Sequence, residues 1–316
     1  MPKHRKIADT MLSNFITKHK LDKGFIETAE QWYMPLAEKL KTQQKGAAKT
    51  YYVGISGCQG SGKSTLAQFI KSYLQNFYQL NVVVLSLDDF YLSQSQRLAM
   101  SVQIHPLFAT RGVPGTHDMS LAKQILVDLA VKDKQITLPR FNKATDNPHP
   151  QEEWPIITTP VDMVIFEGWC WGVPAQSKDL LLNPVNELEK QRDELAVWRN
   201  YANQKLANDY QPLYQLMDYW LMFKAPSFED VYAWRLEQEQ KLRLVHTETG
   251  VTRGTPEKDT SGLMNSEQIQ DFIQYHQRLT EYALLELPAN CNTVFELDSK
   301  RKIINACLPL SSNDIH

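Results

Sequence analysis

The stretch Gly54–Thr65, GISGCQGSGKST, constrains this chain more than any other part of it. Within it, Gly57 to Ser64 fits G-x-x-x-x-G-K-[ST] without a mismatch. The pattern has a physical purpose. Glycines let the backbone wrap tightly around anionic oxygens, successive N–H groups point inward, and a helix N-terminus adds partial positive charge. The residues before it, TYYVGIS, are β-branched and aromatic, as a buried strand requires. The run after it carries Leu66, Phe69, Ile70, Tyr73, Leu74 and Phe77 at helical spacing. Strand, glycine loop and helix therefore come in the order that a nucleotide-phosphate cradle needs. The spacing assigns Gly57, Cys58, Gln59, Gly60, Ser61, Gly62, Lys63, Ser64 and Thr65 to nucleotide binding. ATP is the expected nucleotide: Lys63 would reach its β/γ-phosphates, and Ser64 would ligate Mg²⁺.

At 316 residues, the chain can bury a large core as one α/β domain with additions, or as two domains. A formal net charge of −2 argues against a nucleic-acid binder that relies on bulk charge. No apolar run is long enough to span a membrane, and no basic start leads into an apolar signal-peptide stretch. The basic start, MPKHRK, reads as a solvated tail. Ile7, Met11, Leu12, Phe15 and Ile16 fall on one helical face, which favours a packed helix over a mitochondrial presequence. Cys58, Cys170, Cys291 and Cys307 are isolated and show no metal spacing, so a reducing, cytoplasmic setting fits. Cys58 reads as a packing residue, although a thiol there could make the protein sensitive to oxidation.

Residues 5–44 read as helical. Thr28 with Gln31 is spaced as a capping box, Pro35 kinks or restarts the helix, and 42–50 is a linker. The expected division is a helical extension over 1–48 and a nucleotide-binding domain over 49–316. Four more apolar segments, 81–90, 161–169, 219–225 and 292–298, read as buried strands. Helical patterns separate most of them, which predicts a doubly wound α/β fold with a five-stranded, mostly parallel sheet flanked by helices. The span 171–215 is a helical excursion with one extended helix near 185–208. Its apolar residues, among them Leu188, Leu195, Trp198, Tyr201 and Leu206, look too sparse for a buried core helix.

In a parallel sheet, ligands sit at the carboxyl ends of the strands. The second strand ends in Asp88-Asp89-Phe90-Tyr91. A carboxylate there can accept the proton of an acceptor hydroxyl, cap the next helix, or bind Mg²⁺ through water. Its place beside the phosphate loop favours the catalytic base, with Asp88 ahead of Asp89. The third strand runs into Glu167-Gly168, an apolar run closing in an acid that orients Mg²⁺ or its water. Asp162 lies at the wrong end of that strand. A GTPase is excluded: N-K-x-D is one residue out of register at Asn142–Asp146, and the one D-x-x-G, Asp259–Gly262, follows no strand.

Two polar clusters lie between the second and third strands: TRGVPGTHD, with Arg111, His117 and Asp118, and LPRFNKATDNPH, with Arg140, Lys143 and His149. Two arginines and a lysine in glycine- and proline-shaped loops suit a small anionic acceptor, since arginine grips a carboxylate through paired bonds. Ordinary turn chemistry with exposed charge is the alternative. After the fourth strand, Ser227 with Asp230 opens an amphipathic helix carrying Arg235, Lys241 and Arg243. Such a helix is either a lid that brings cations to the transferring phosphoryl or a solvated face, and Arg235 is the better single candidate.

These residues resemble the P-loop kinases that include uridine kinase, phosphoribulokinase and pantothenate kinase, and among them most of all the D-glycerate 3-kinases and their yeast and bacterial relatives. GISGCQGSGKST, LSLDDFYL, RGVPGTHD, LPRFNKATD, FEGWCWG and the AWRLEQE helix carry the likeness, and the spacing of NSEQIQDFIQYHQRLTEY near the end also fits it, over roughly residues 51–300. It implies Asp88 as base, Glu167 as Mg²⁺ organiser and an acceptor site that includes the Arg111–Asp118 loop. The implied activity is phosphorylation of a small carboxylate, D-glycerate, held by Arg111, His117, Arg140 and Lys143. Near residue 140 the family pattern often reads P-R-[FY]-D-K-S, from which this chain departs at Asn142 and Ala144. A kinase for pantothenate or a nucleoside, and an ATP-binding regulatory or assembly protein without a small acceptor, are the rival readings.

Overall fold

The computed structural model describes residues 2–237 and 266–307. The strands, in chain order, are β1 (Tyr51–Gly57), β2 (Val82–Ser86), β3 (Gln135–Thr137), β4 (Phe141–Asn142), β5 (Asn147–Pro148), β6 (Ile156–Thr158), β7 (Met163–Gly168), β8 (Tyr219–Lys224), β9 (Thr293–Leu297) and β10 (Ile303–Cys307). Six of them form the central sheet, in the order β10-β9-β8-β1-β7-β2. The five strands expected from the sequence are its parallel part, and β10 adds a sixth, antiparallel edge strand through a tight turn from β9. Ile303–Cys307 alternates half-buried with exposed positions, so it lacks the continuous apolar signature of the inner strands. The short pairs β3–β6 and β4–β5 lie outside this sheet.

β1 is buried along its whole length because β7 and β8 flank it and helices cover both faces. Register decides what meets at the carboxyl edge. Ile55 of β1 and Ser86 of β2 both pair with Glu167 of β7, so the phosphate loop, Asp88 and Glu167 emerge side by side.

One buried cluster lies between the sheet, the N-terminal helices and the helix Lys63–Tyr78, whose Phe69 meets Phe15 edge-on with ring centroids 5.4 Å apart. The expected packed N-terminal helix is therefore present as Pro2–His19. Thr28 caps nothing, because helical turns run on from Phe25 to Ala47. Pro35 stands just inside Met34–Ala47, after a π-turn over Ala29–Tyr33, where its missing N–H costs least. The linker shrinks to the few residues after Ala47.

A second cluster fills the opposite face, from Leu126 and Trp171 to Tyr210 and Leu279. The excursion differs from one long helix. It breaks into Glu187–Arg192 and Val197–Lys205, because Asp193 accepts from the backbone N–H groups of Trp198 and Arg199 and so starts a new helix. Leu188, Trp198 and Leu206 are buried and only Leu195 of that set is largely exposed, so the excursion packs more closely than its sparse pattern suggests. Arg278 of the helix Ser266–Glu286 holds it through a buried ion pair with Glu189 at 2.6 Å.

Candidate functional site

The phosphate loop closes at Gly60 and Gly62, whose φ angles of +80° and +98° lie in the left-handed region that a side chain strains to reach. Gly62 stands directly before the helix Lys63–Tyr78, so that helix's first N–H groups face the loop's interior. Lys63 is buried and curls back to donate to the Cys58 carbonyl at 2.9 Å. The Ser61 hydroxyl is buried without a partner among the described residues. An empty turn does not leave such a donor unmet, whereas a phosphate oxygen would satisfy it. Burial raises the Cys58 thiol to about 11, with Lys63 and a backbone hydrogen bond opposing. That keeps it a thiol rather than a reactive thiolate, in line with a packing role.

Ser64 donates to Glu167 Oε1 at 2.8 Å. A hydroxyl and a carboxylate meeting beside the loop are hard oxygen donors. Mg²⁺ takes few protein ligands and keeps its waters, so this pair fits it. The described residues contain no group of three or more His, Cys, Asp or Glu side chains that could hold a metal ion.

A cavity of about 280 Å³ joins this loop to the acceptor side. Gln59, Gly60, Lys63, Ser64 and Glu167 line one half; Asp88, Arg111, Lys143 and Arg235 line the other. Asp88 comes off β2 in the turn Leu87–Phe90 and accepts from Lys143 at 2.6 Å. Burial alone would raise its carboxyl, but Lys143, with His117 and Lys63, outweighs burial and holds it below its ordinary value. Asp89 points elsewhere. It accepts from Arg140 at 3.2 Å and from the Phe141 N–H at 3.3 Å, and burial, with the charges of Asp88 and Glu167, raises it despite those bonds.

Arg111 pairs with Asp146 and lies over the Phe141 ring, 5.6 Å from its centroid. Asp146 is shared: it also pairs at 2.5 Å with Arg97, whose side chain is fully buried. Asn142, where the family pattern carries an acid, turns its Oδ1 inward to accept from Ala144 and Thr145, which shapes the β4–β5 turn. The acid that Arg111 pairs with in this chain is Asp146.

Two residues expected at the acceptor do not line the cavity. His117 lies behind Tyr91, stacked on it at 4.2 Å, with Nδ1 2.6 Å from the Tyr210 hydroxyl. Arg140 is engaged with Asp89. Asp118 caps the helix Met119–Leu129, and His149 pairs with Glu153 on the far turn. Ser227 and Asp230 form the expected cap of the helix over 228–237, and Arg235 sits 5.6 Å over the Phe272 ring. Lys241 and Arg243, and the Asp259–Gly262 motif, lie outside the described residues.

Tyr91, Trp169 and Phe272 also line the cavity. Tyr91 and Trp169 stand inside motifs that were read only for their acids. Phe272 lies in the segment NSEQIQDFIQYHQRLTEY, whose spacing fits the family likeness, but a phenylalanine on an amphipathic helix reads as core.

No protein-family model matches the chain. The uncharacterized kinase mug58 of Schizosaccharomyces pombe is 35% identical over 216 residues, which cover 65% of this chain and 75% of mug58. The chloroplastic D-glycerate 3-kinase of Arabidopsis thaliana is 26% identical over 230 residues, covering 70% of this chain and 45% of that protein. Among solved structures, a D-glycerate 3-kinase from Cryptococcus neoformans superposes with a TM-score of 0.71 at 24% identity, covering 88% of this chain and 99% of the other, and shares its fold.

Proposed function

We propose that this chain, which belongs to the P-loop kinase family of mug58, transfers the γ-phosphoryl of ATP to a hydroxyl of a small carboxylate, D-glycerate. A single observation carries the reading: one cavity joins Lys63 and Ser64 to Asp88, Arg111 and Lys143. That arrangement puts a nucleotide's terminal phosphate, a proton acceptor and cations for an anionic acceptor within one small volume. The plant and Cryptococcus proteins named as D-glycerate 3-kinases support the choice of acceptor.

Lys63 leaves the Cys58 carbonyl to meet the β/γ-phosphates. Ser64 and Glu167 would hold Mg²⁺, which would supply positive charge against the charge that develops on the phosphates. Lys143 exchanges Asp88 for the acceptor's carboxylate, which Arg111 grips from the other side. Asp88 is then free to orient the acceptor hydroxyl and take its proton as the new O–P bond forms and the β–γ bridging bond breaks. In a loose transition state orientation of the hydroxyl matters more than base strength, so the main task of Asp88 is to place it. Arg235 adds positive charge beside the transferring group.

The aromatic side chains of the cavity do not make it a nucleoside site. His117 covers a face of Tyr91, and Arg235 lies over Phe272, so charged groups remain to select the acceptor. No helix among the described residues is long and apolar enough to cross a membrane. All four cysteines are free, which supports a cytoplasmic enzyme.

A coupled assay with D-glycerate, L-glycerate, pantothenate and uridine tests the reading. Saturable turnover of D-glycerate is expected. Turnover of uridine or pantothenate with none of glycerate overturns the acceptor, and ATP hydrolysis that no metabolite stimulates favours a regulatory or assembly protein.

A further inference from the structure

His276, on the helix Ser266–Glu286, is only 2% exposed. Its Nδ1 lies 3.2 Å from the carbonyl oxygen of Phe272, one turn earlier, so Nδ1 carries the proton. Nε2 is then an acceptor, and the side-chain amide of Gln59 donates to it at 3.2 Å. Gln59 Oε1 is buried without a hydrogen-bond partner among the described residues, so this bond alone fixes the amide. Burial holds the imidazole down to about 4, against the Phe272 hydrogen bond and the Asp88 charge and with help from Arg235 and Arg111. The neutral, accepting form is therefore the one present near pH 7.

The same ring meets the acceptor loop. A Cβ on Gly112 would stand 2.8 Å from His276 Nε2, so no larger residue fits there without displacing the ring. Trp169 packs edge-on to His276 with centroids 4.7 Å apart, and its indole N–H donates to the Gly112 carbonyl at 3.1 Å. One imidazole thus touches the phosphate loop at Gln59 and the acceptor loop at Gly112, next to Arg111.

We propose that His276 is a positioning residue that ties the acceptor loop Arg111–Asp118 to the state of the phosphate loop. The roles of the two loops rest on the kinase reading above, but the tie itself requires nucleotide binding and no particular acceptor. A nucleotide that orders the loop at Gln59 fixes the amide, the amide fixes the ring, and the ring sets how far the backbone at Gly112 can move. Arg111 is then presented to the acceptor only when the phosphate loop is filled.

Hydrogen exchange with a non-hydrolysable ATP analogue and Mg²⁺, without acceptor, reads this directly. In the wild type, the analogue slows exchange in 57–65 and in 110–118, the latter at least about fivefold, the lower end for coupled sites. In His276→Leu, protection of 57–65 persists and protection of 110–118 is lost. His276→Gln, whose amide oxygen can still accept from Gln59, restores it, and Gln59→Leu reproduces the loss. A merely structural role predicts lower stability but unchanged coupling. The proposal is overturned if the wild type shows no protection of 110–118, if His276→Leu keeps it, or if His276→Gln behaves as leucine does. Coupling in the wild type without D-glycerate turnover would sink the acceptor assignment and leave the tie standing.

Discussion

The two halves of the cavity are built in different ways. Apart from Glu167 of β7, the phosphate half is one unbroken run, Gly57–Thr65, shaped by backbone: glycines at positive φ and the start of a helix. The acceptor half is collected from distant segments, with Asp88, Arg111, Lys143 and Arg235 arriving from separate loops and a helix. What holds it is side-chain pairing. Asp146 binds Arg111 and Arg97, and Asp89 binds Arg140 and the Phe141 backbone. A site made of backbone needs its residues spelled out in order. A site made of paired side chains can draw each partner from a different loop, as Arg111 does with Asp146.

The largest effect should come from the phosphate half. Lys63→Ala removes the cation that meets the β/γ-phosphates and should cut transfer by about 10⁴-fold or more, roughly 5.5 kcal/mol of barrier. The fold should survive, since among the described residues the Lys63 ammonium bonds only to the Cys58 carbonyl. Steady-state kinetics beside a thermal melt checks both; near-normal turnover would remove the phosphate-loop assignment.

Asp88→Asn sits at the seam of the two halves. It should lower kcat by roughly 10²–10⁴, the worth of a positioned acid–base group, with little change in ATP affinity. Lost ATP·Mg²⁺ binding with normal turnover at saturation would instead make Asp88 a metal organiser. The same carboxylate predicts the pH profile. Lys143 holds it below 3.8, so the acid limb of kcat/KM for the free enzyme should fall below the ordinary carboxylate range.

Arg111→Ala tests the acceptor half alone. Removing one partner from a desolvated arginine–carboxylate pair costs about 2–5 kcal/mol, so the KM for D-glycerate should rise by tens to thousands of fold while the KM for ATP stays nearly constant. A rise in both would mean that the halves are not separable in this way. Asp146→Asn should give a smaller rise, because it loosens Arg111 without removing it. It should also lower stability by about 1–3 kcal/mol, because it weakens the carboxylate contact of the buried Arg97.

The same contrast explains how far the site could be read in advance. The loop, the five parallel strands and the acids Asp88 and Glu167 follow from local pattern, because each depends on its immediate neighbours. The acceptor cations Arg111 and Lys143 were visible as residue types in turn-rich loops. His117 and Arg140 were visible too, yet they turn away to Tyr210 and Asp89. Nothing in a loop's own sequence says whether its charges face a cavity or one another. Phe272 and His276 lie on a helix whose face is chosen by tertiary packing, and a local pattern cannot report that choice. The break at Asp193 was missed for a related reason: an aspartate inside a helical pattern reads as a solvated residue until its oxygens are seen on the next two N–H groups.

The smallest effect concerns what supports the acceptor half. His117 stands behind Tyr91, and His276 stands against Gly112. Burial holds His117 down to about 3, Asp88 opposing and His276 assisting, and holds His276 down to about 4. Both are near 6.5 when the chain is unfolded. Between these values the unfolded chain binds more protons than the folded one, so stability rises with pH across that window and falls as pH drops below about 6.5. At pH 5 each histidine should cost about 2 kcal/mol relative to pH 7.5, at 1.4 kcal/mol per unit. Asp88, whose pKa is depressed, shifts stability in the same direction, but its loss begins only near the ordinary carboxylate value of 3.8. The loss from these two histidines therefore sets in at higher pH than the loss from Asp88. Urea unfolding at pH 7.5, 6 and 5 should lose about half of that slope in His276→Gln and the rest in a variant that also carries His117→Asn. An unchanged slope in the double variant would place the acid sensitivity outside the acceptor half and remove this physical distinction between the two sides of the cavity.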